Sequence, residues 1–282
     1  MPEGDTIHRA ARNLHGALAG EVVIRFETVL PRLARVDEDR PVAGRTVESV
    51  TARGKHLLLR FSGDLVLRTH LRMNGSWHLY RPGERWFRPR DAMRVLVETR
   101  PWIAVGFDLP VAELLDARGL ARQRDLARLG PDLLSPAFDP PEAERRLRAR
   151  ADRELGEALL DQRALAGVGN ELKSEILFLA GLDPWRTVAS LSGPELSALV
   201  ATARRVLLAA VAPFEGGSTT WLGGRRTTGR SNPGERLFVY GRAGQPCRRC
   251  GGPVRVGRQG AGARLTYHCP RCQPGTGPWA GG

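Results

Sequence analysis

All four cysteines of this 282-residue chain fall in one pattern, Cys247-x-x-Cys250 followed by Cys269-x-x-Cys272, with 18 residues between the pairs. Close thiol pairs at this separation match a zinc ribbon, in which four thiolates complete a tetrahedral ion. Two disulfides are the other way to read paired cysteines, but an intracellular setting weighs against them. A site filled by four thiolates has no open position for water, so the metal is expected to be structural. It would hold a hairpin carrying Arg258 and Arg264.

The rest of the chain is long enough for two or three domains with real cores. It has no apolar run long enough to span a membrane, and acidic residues stand at the start where a secretory signal would be basic. An intracellular protein is therefore expected, nucleoid-associated if bacterial. Ile7, Ala11, Leu14 and Leu18 follow helical spacing behind Asp5, a candidate cap, with Gly20 as a stop. Short apolar or alternating runs at 22–29, 47–51, 56–61, 65–70, 77–80 and 93–97 then predict antiparallel hairpins. After about Asp108 the pattern reads as helical, with residues 130–141 as a linker and helices over 142–151, 155–162, 171–180 and 194–211. Gly167 and Gly169 allow a sharp turn before Asn170, giving a helix, turn, helix unit with a candidate phosphate site at the start of its second helix.

Charge narrows the choice of partner. The net charge is +13, and eleven arginines against the single acid Glu235 follow Trp221. Such a segment suits a polyanion. Only two of the 43 basic residues are lysines, Lys55 and Lys173. Arginine cannot release a proton near neutrality, so a lysine kept in so arginine-rich a chain hints at work that arginine cannot do. The first residues offer chemistry of the same kind. Removal of Met1 would leave Pro2 as a terminal secondary amine, partly neutral at pH 7, beside the Glu3 carboxyl. A secondary amine attacking an aldehyde-like carbon gives an iminium, an electron sink for later eliminations.

Taken together, Pro2-Glu3-Gly4, Arg53-Gly54-Lys55, Leu129-Gly130-Pro131-Asp132, Leu159-Leu160-Asp161-Gln162, Gly167-Val168-Gly169-Asn170 with Glu175, and Val239-Tyr240-Gly241-Arg242 leading into the cysteines resemble the formamidopyrimidine-DNA glycosylase and endonuclease VIII family. The resemblance runs in the same order over nearly the whole chain. It implies an α+β multidomain fold: an N-terminal antiparallel β-sandwich with flanking helices (2–124), a helical helix-two-turn-helix domain (125–222), a mobile basic loop (223–234), a zinc-ribbon finger (235–273) and a disordered tail (274–282). It also implies that Pro2 attacks the sugar C1′ of a damaged nucleotide while Glu3 protonates the opening ring. Lys55 would assist β-elimination, and Arg264 would bind phosphate and serve δ-elimination. Asn170, Arg128 and Arg72 match DNA-contacting positions, and Met73 is the expected wedge into the gap left by a flipped base.

The chain departs from the family pattern at Asp5 and Thr6, where many members have Pro and Glu. The stretch 100–106 lacks the Asp-Pro-Arg-Arg-Phe of members that remove 8-oxoguanine, so an endonuclease VIII-like preference for oxidised pyrimidines is expected. The implied partner is double-stranded DNA with damaged bases or abasic sites, bound by a monomer with one structural Zn2+. A catalytically silent damaged-DNA-binding protein on the same scaffold is the alternative; Pro2, Glu3 and Lys55 together argue against it.

Overall fold

The computed structural model describes residues 2–212 and 225–275. Residues 213–224 and 276–282 lie outside them, and with them the end of the expected helical domain, the first two residues of the expected basic loop and most of the expected tail. Contacts divide the chain into two compact units, one built on the residues up to Arg128 and the other on Leu129–Ala212 with the segment from Arg225 onward.

In the first unit α1 (Gly4–Leu18) precedes β1 (Arg25–Thr28), α2 (Pro31–Asp39) and seven strands: β2 (Val47–Arg53), β3 (His56–Phe61), β4 (Leu65–His70), β5 (Ser76–Tyr80), β6 (Met93–Glu98), β7 (Ile103–Phe107) and β8 (Val111–Leu115). Two short helices, α3 (Ala117–Ala121) and α4 (Arg124–Ala127), close it. The strands form two antiparallel sheets of order β1-β6-β7-β5 and β2-β3-β4-β8. Ile7, Ala11, Leu14 and Leu18 of α1 share one buried core with Leu57, Leu59 and Leu67 of one sheet and Trp77, Val95 and Val97 of the other. Burying each such side chain contributes roughly 1.5–3 kcal/mol.

Three sequence expectations are corrected here. The helix begins at Gly4 with Glu3 as its N-cap, so Asp5 is not the cap; it lies in the first turn, fully buried and paired with Arg9 at 3.1 Å. A carboxylate in a first turn with arginine four residues on satisfies both the helix dipole and the i,i+4 rule. Residues after Asp108 do not turn helical at once, since Val111–Leu115 is a strand paired with β4. Residues 130–141 are no bare linker: Leu133 is fully buried, Phe138 is 9% exposed, and the Gly130 amide donates to Gln162 O.

The second unit contains α5 (Pro140–Arg148), α6 (Leu155–Leu160), α7 (Asn170–Ala180) and α8 (Gly193–Val211), followed by the hairpin β9 (Arg255–Gln259) and β10 (Arg264–His268). Leu159, Leu165, Val168, Leu172, Ile176, Leu199 and Ala203 lie in its helical core. A smaller cluster of Phe178, Val239, Val254, Cys247 and Cys269 underlies the hairpin. Among the described residues no helix is long and apolar enough to cross a membrane.

Candidate active site and metal centre

Only Glu3 separates Pro2 from α1, so the rigid helix fixes where the amino-terminal segment sits. Glu3 is fully buried, and its carbonyl accepts from the Ile7 amide at 3.0 Å. Pro2 opens onto a cavity of about 200 Å³ lined also by Thr6, Asn13, Leu71, Gly75 and Trp77. The departure at position 6 therefore faces this cavity. Its other wall is the 71–75 turn, closed by Gly75 N donating to Leu71 O at 2.9 Å. A Cβ on Gly75 would meet that oxygen at 2.6 Å, so only glycine fits. At the crest of the turn Arg72 has φ 45°, and the exposed Met73 projects as the candidate wedge.

Lys55 sits at the tip of the β2–β3 hairpin. Arg53 pairs with His56, leaving a two-residue turn in which Gly54 takes φ 58°. Its ammonium charge acts on His70, which pairs with His56 across β3 and β4 at a ring separation of 4.8 Å. Burial, followed by Lys55, pushes His70 down to about 4. Burial and then His70 push His56 down to about 3. Both rings are therefore neutral at pH 7, and His70 Nδ1 accepts the Arg72 amide at 3.0 Å. His70 thus braces the turn that walls the Pro2 cavity. Sequence reasoning did not find His70; a histidine directly before Leu71-Arg72-Met73 was the available signal.

Asn170 and Arg264 are brought together in the second unit. Asn170 Nδ2 donates to Leu265 O at 2.8 Å, leaving the other N–H of the amide unused by that bond. Lys173 Nζ reaches Asn170 Oδ1 at 2.9 Å and Thr266 Oγ1 at 2.6 Å, so the start of α7 grips β10 one residue from Arg264. Arg264 itself is exposed, and among the described residues no hydrogen bond or ion pair engages its guanidinium. Arg128, exposed at the end of α4, is not gathered with Pro2 or Asn170 by any of these contacts. Glu175, which the sequence offered only as part of a pattern, fastens a whole segment. Its buried carboxylate accepts the amides of Phe238, Val239 and Tyr240 at 2.8 to 2.9 Å and the Thr227 hydroxyl. Arg225 pairs with Glu171 at 2.6 Å, so the described part of the basic loop is tied to α7 from its first residue.

The four cysteine sulfurs lie within 4.8 Å of one another and form a group able to hold a metal ion. Sulfurs about 2.3 Å from a tetrahedral zinc stand about 3.8 Å apart; Cys247 and Cys272 are at 3.9 Å, Cys250 and Cys269 at 3.5 Å. The Gly252 amide holds the Cys250 thiol down at about 7, whereas burial pushes Cys269 and Cys272 up. Four thiolates at neutral pH therefore require a cation, and the donor set fits one.

Residues 1–122 match the model of the formamidopyrimidine-DNA glycosylase N-terminal domain, and residues 129–221 that of the formamidopyrimidine-DNA glycosylase H2TH domain. The chain belongs to the formamidopyrimidine-DNA glycosylase and endonuclease VIII family. Among relatives of this family, a probable endonuclease 8 2 of Streptomyces coelicolor is 49% identical, covering 100% of this chain and 97% of that protein. The DNA-(apurinic or apyrimidinic site) lyase Nei2 of Mycolicibacterium smegmatis is 41% identical over 97% and 99%. The family fold is seen in the Lactococcus lactis Fpg bound to DNA containing an abasic site, at TM-score 0.79 and 24% identity, covering 97% and 100% of the two chains.

The stretch expected to stand in for the family's Asp-Pro-Arg-Arg-Phe segment is a hairpin, not a reading loop. Its residues 103–107 form β7 between β5 and β6, and Trp102 is half-buried beneath the Arg81 guanidinium, 3.5 Å from the ring centre. No arginine follows Pro101 through Phe107, and the neighbouring connection to β8, Asp108-Leu109-Pro110, carries none.

Proposed function

We propose that this chain is a bifunctional DNA glycosylase and abasic-site lyase that removes oxidised pyrimidines from double-stranded DNA through a Schiff base on Pro2. The observation that carries the reading is Pro2 at a small cavity walled by the Met73-bearing turn, with Lys55 at the tip of the β2–β3 hairpin in the same unit. In this mechanism the Pro2 amine, freed by loss of Met1, attacks C1′. The C1′–base bond breaks and the base leaves with a proton. Glu3 protonates the ring oxygen as the sugar opens, leaving an iminium whose positive nitrogen acidifies the C2′ proton. Loss of that proton, assisted by Lys55, expels the 3′ phosphate; a second elimination, assisted by Arg264, expels the 5′ phosphate, and water then releases Pro2. The sandwich (2–124) supplies Pro2, Glu3, Lys55 and the wedge Met73, the finger supplies Arg264, and Arg72, Arg128 and Asn170 hold the backbone.

The metal, read as one zinc ion on Cys247, Cys250, Cys269 and Cys272, supplies structural cross-linking only. The protein is read as a monomer working inside the cell, where chromosomal DNA is. Two tests address the chemistry and the lesion. Borohydride should trap a covalent complex on abasic DNA, and Pro2→Gly should cut trapping by roughly tenfold or more, since an iminium at the terminus is the reducible species; undiminished trapping removes Pro2 from the mechanism. In single-turnover excision from matched duplexes, thymine glycol or dihydrouracil should leave faster than 8-oxoguanine opposite cytosine, because no arginine follows Pro101 in the stretch that would read the orphaned cytosine. The reverse order overturns the pyrimidine assignment.

A further inference from the structure

The loop of residues 81–92, joining β5 to β6, takes no part in this chemistry, yet it has a defined surface. It lies over the face of the β1-β6-β7-β5 sheet that carries Tyr80, Leu96, Val105 and Phe107, a cluster separate from the main core. Trp86 seals that cluster, stacked on Tyr80 at 6.2 Å and edge-on to Phe107 at 5.6 Å. Phe87, the next residue, lies at the edge of that cluster: the residue is 73% exposed, its ring only tilted against Tyr80 at 6.2 Å, while its backbone amide donates to the Tyr80 hydroxyl at 3.2 Å. An aromatic face is thus held toward solvent on a rigid base.

The surroundings are cationic. Arg85 is exposed, and among the described residues its side chain has no hydrogen bond or ion pair. Arg90 lies 5.0 Å from the Trp86 ring, and among those residues its side chain has no hydrogen bond or ion pair. The loop carries four arginines, Arg81, Arg85, Arg88 and Arg90, against two acids, Glu84, whose carboxylate accepts the Arg81 amide at 2.6 Å, and the exposed Asp91; the adjoining Asp108 is paired with Arg88 and with Arg94 at 3.7 Å, so the balance stays positive. An exposed aromatic face between unspent guanidiniums complements a nucleobase flanked by phosphates. It is a poor match for duplex DNA, whose bases are stacked out of reach.

We propose that this loop is a docking platform for an unpaired DNA strand, one base stacking on Phe87 while the adjoining phosphates meet Arg85 and Arg90. The platform is separate from the catalytic reading and stands or falls without it.

The test measures binding by fluorescence anisotropy on the full chain, using an oligothymidine and a blunt duplex, with cleavage of a blunt abasic duplex as a control. Base stacking on one aromatic side chain is worth roughly fivefold to a hundredfold in affinity. Phe87→Ala should weaken oligothymidine binding by about that factor, Phe87→Trp should retain it, and Arg85→Ala should make it less salt-dependent. Blunt-duplex affinity and cleavage should not change. Unchanged oligothymidine binding by Phe87→Ala overturns the proposal, as does an equal loss on the blunt duplex. Displacement of oligothymidine from this loop by an acidic, phenylalanine-containing peptide at lower concentration than by free oligothymidine would also overturn it, marking a protein-docking surface instead.

Discussion

Lys173 shows at residue scale what a lysine does here that an arginine would not. Buried to 1% exposure, its ammonium converges on Asn170 Oδ1, Thr266 Oγ1 and, at 3.5 Å, the Leu265 carbonyl. A compact charge with three rotatable donors fits that cup, whereas a planar guanidinium is larger and presents its donors in a fixed fork. The scarcity of lysine marked the position in the sequence, but not its role, because its β10 partners lie more than ninety residues away. Glu175 was opaque for the same reason. Pro2, Glu3 and Lys55 drew notice in the sequence by residue type, and the roles proposed for them come from the family resemblance. The buried pair His56 and His70 yields a prediction at this scale. Both are held below the ordinary value of 6.5, at about 3 and about 4, chiefly by burial. Between pH 6.5 and those values the unfolded chain binds protons that the folded chain refuses, so their stabilisation is complete above about pH 6.5 and declines as pH falls. Each should contribute a slope of up to about 1.4 kcal/mol per pH unit. Urea unfolding across this range should show the slope, and His56→Gln should flatten it; a slope identical in the variant would remove His56 as its source.

Among the elements, helices with long apolar stripes and strands with clean alternation were readable, and β3 and β4 fall at the expected bounds. β8 was not, because Val-Ala-Glu-Leu-Leu is built largely of helix formers and becomes a strand only through its pairing with β4. α2 escaped for a different reason: within its nine residues only Leu33 is fully buried, too little for a periodic signal. The hairpin β9–β10 was foreshadowed by the cysteines, though its grip on α7 was not. Its small core around Val254 and Cys269 cannot rival the helical core, so the metal should matter to the finger far more than to the helices. Cys250→Ser is accordingly expected to lose metal and DNA affinity together while far-UV circular dichroism keeps its helical signal. Metal analysis finding full occupancy in the variant, or none in an active wild-type protein, would contradict that role.

At the scale of the whole molecule the excess of positive charge sets how the protein meets DNA. Each phosphate neutralised should steepen the fall of log affinity with log salt by roughly 0.9. Arg264 is exposed and its guanidinium is unspent among the described residues, so Arg264→Ala should lower that slope by about one. An unchanged slope would place Arg264 away from the backbone. The +13 net charge foretold the polyanion, but not which arginines are available to it. Many prove to be internal fastenings, as Arg68 is for Glu113 at 2.7 Å and Arg150 for Asp161 at 2.7 Å.

The fastening of the hairpin to the helices has a kinetic side. Beyond the Asn170 and Lys173 bonds, Gln259 Nε2 donates to Glu154 Oε2 and to Pro184 O, each at 2.8 Å, and Gln273 Nε2 to Leu182 O at 2.9 Å. These bonds run along the finger and reach α7, the loop that follows it at 182–184 and the N-cap of α6, so the finger is held at several separated points. Asn170 and Arg264 must then arrive at a strand together, as two points on one rigid jaw. Stopped-flow association would register them as a single encounter, with no later, slower phase in which a finger folds down upon DNA already held.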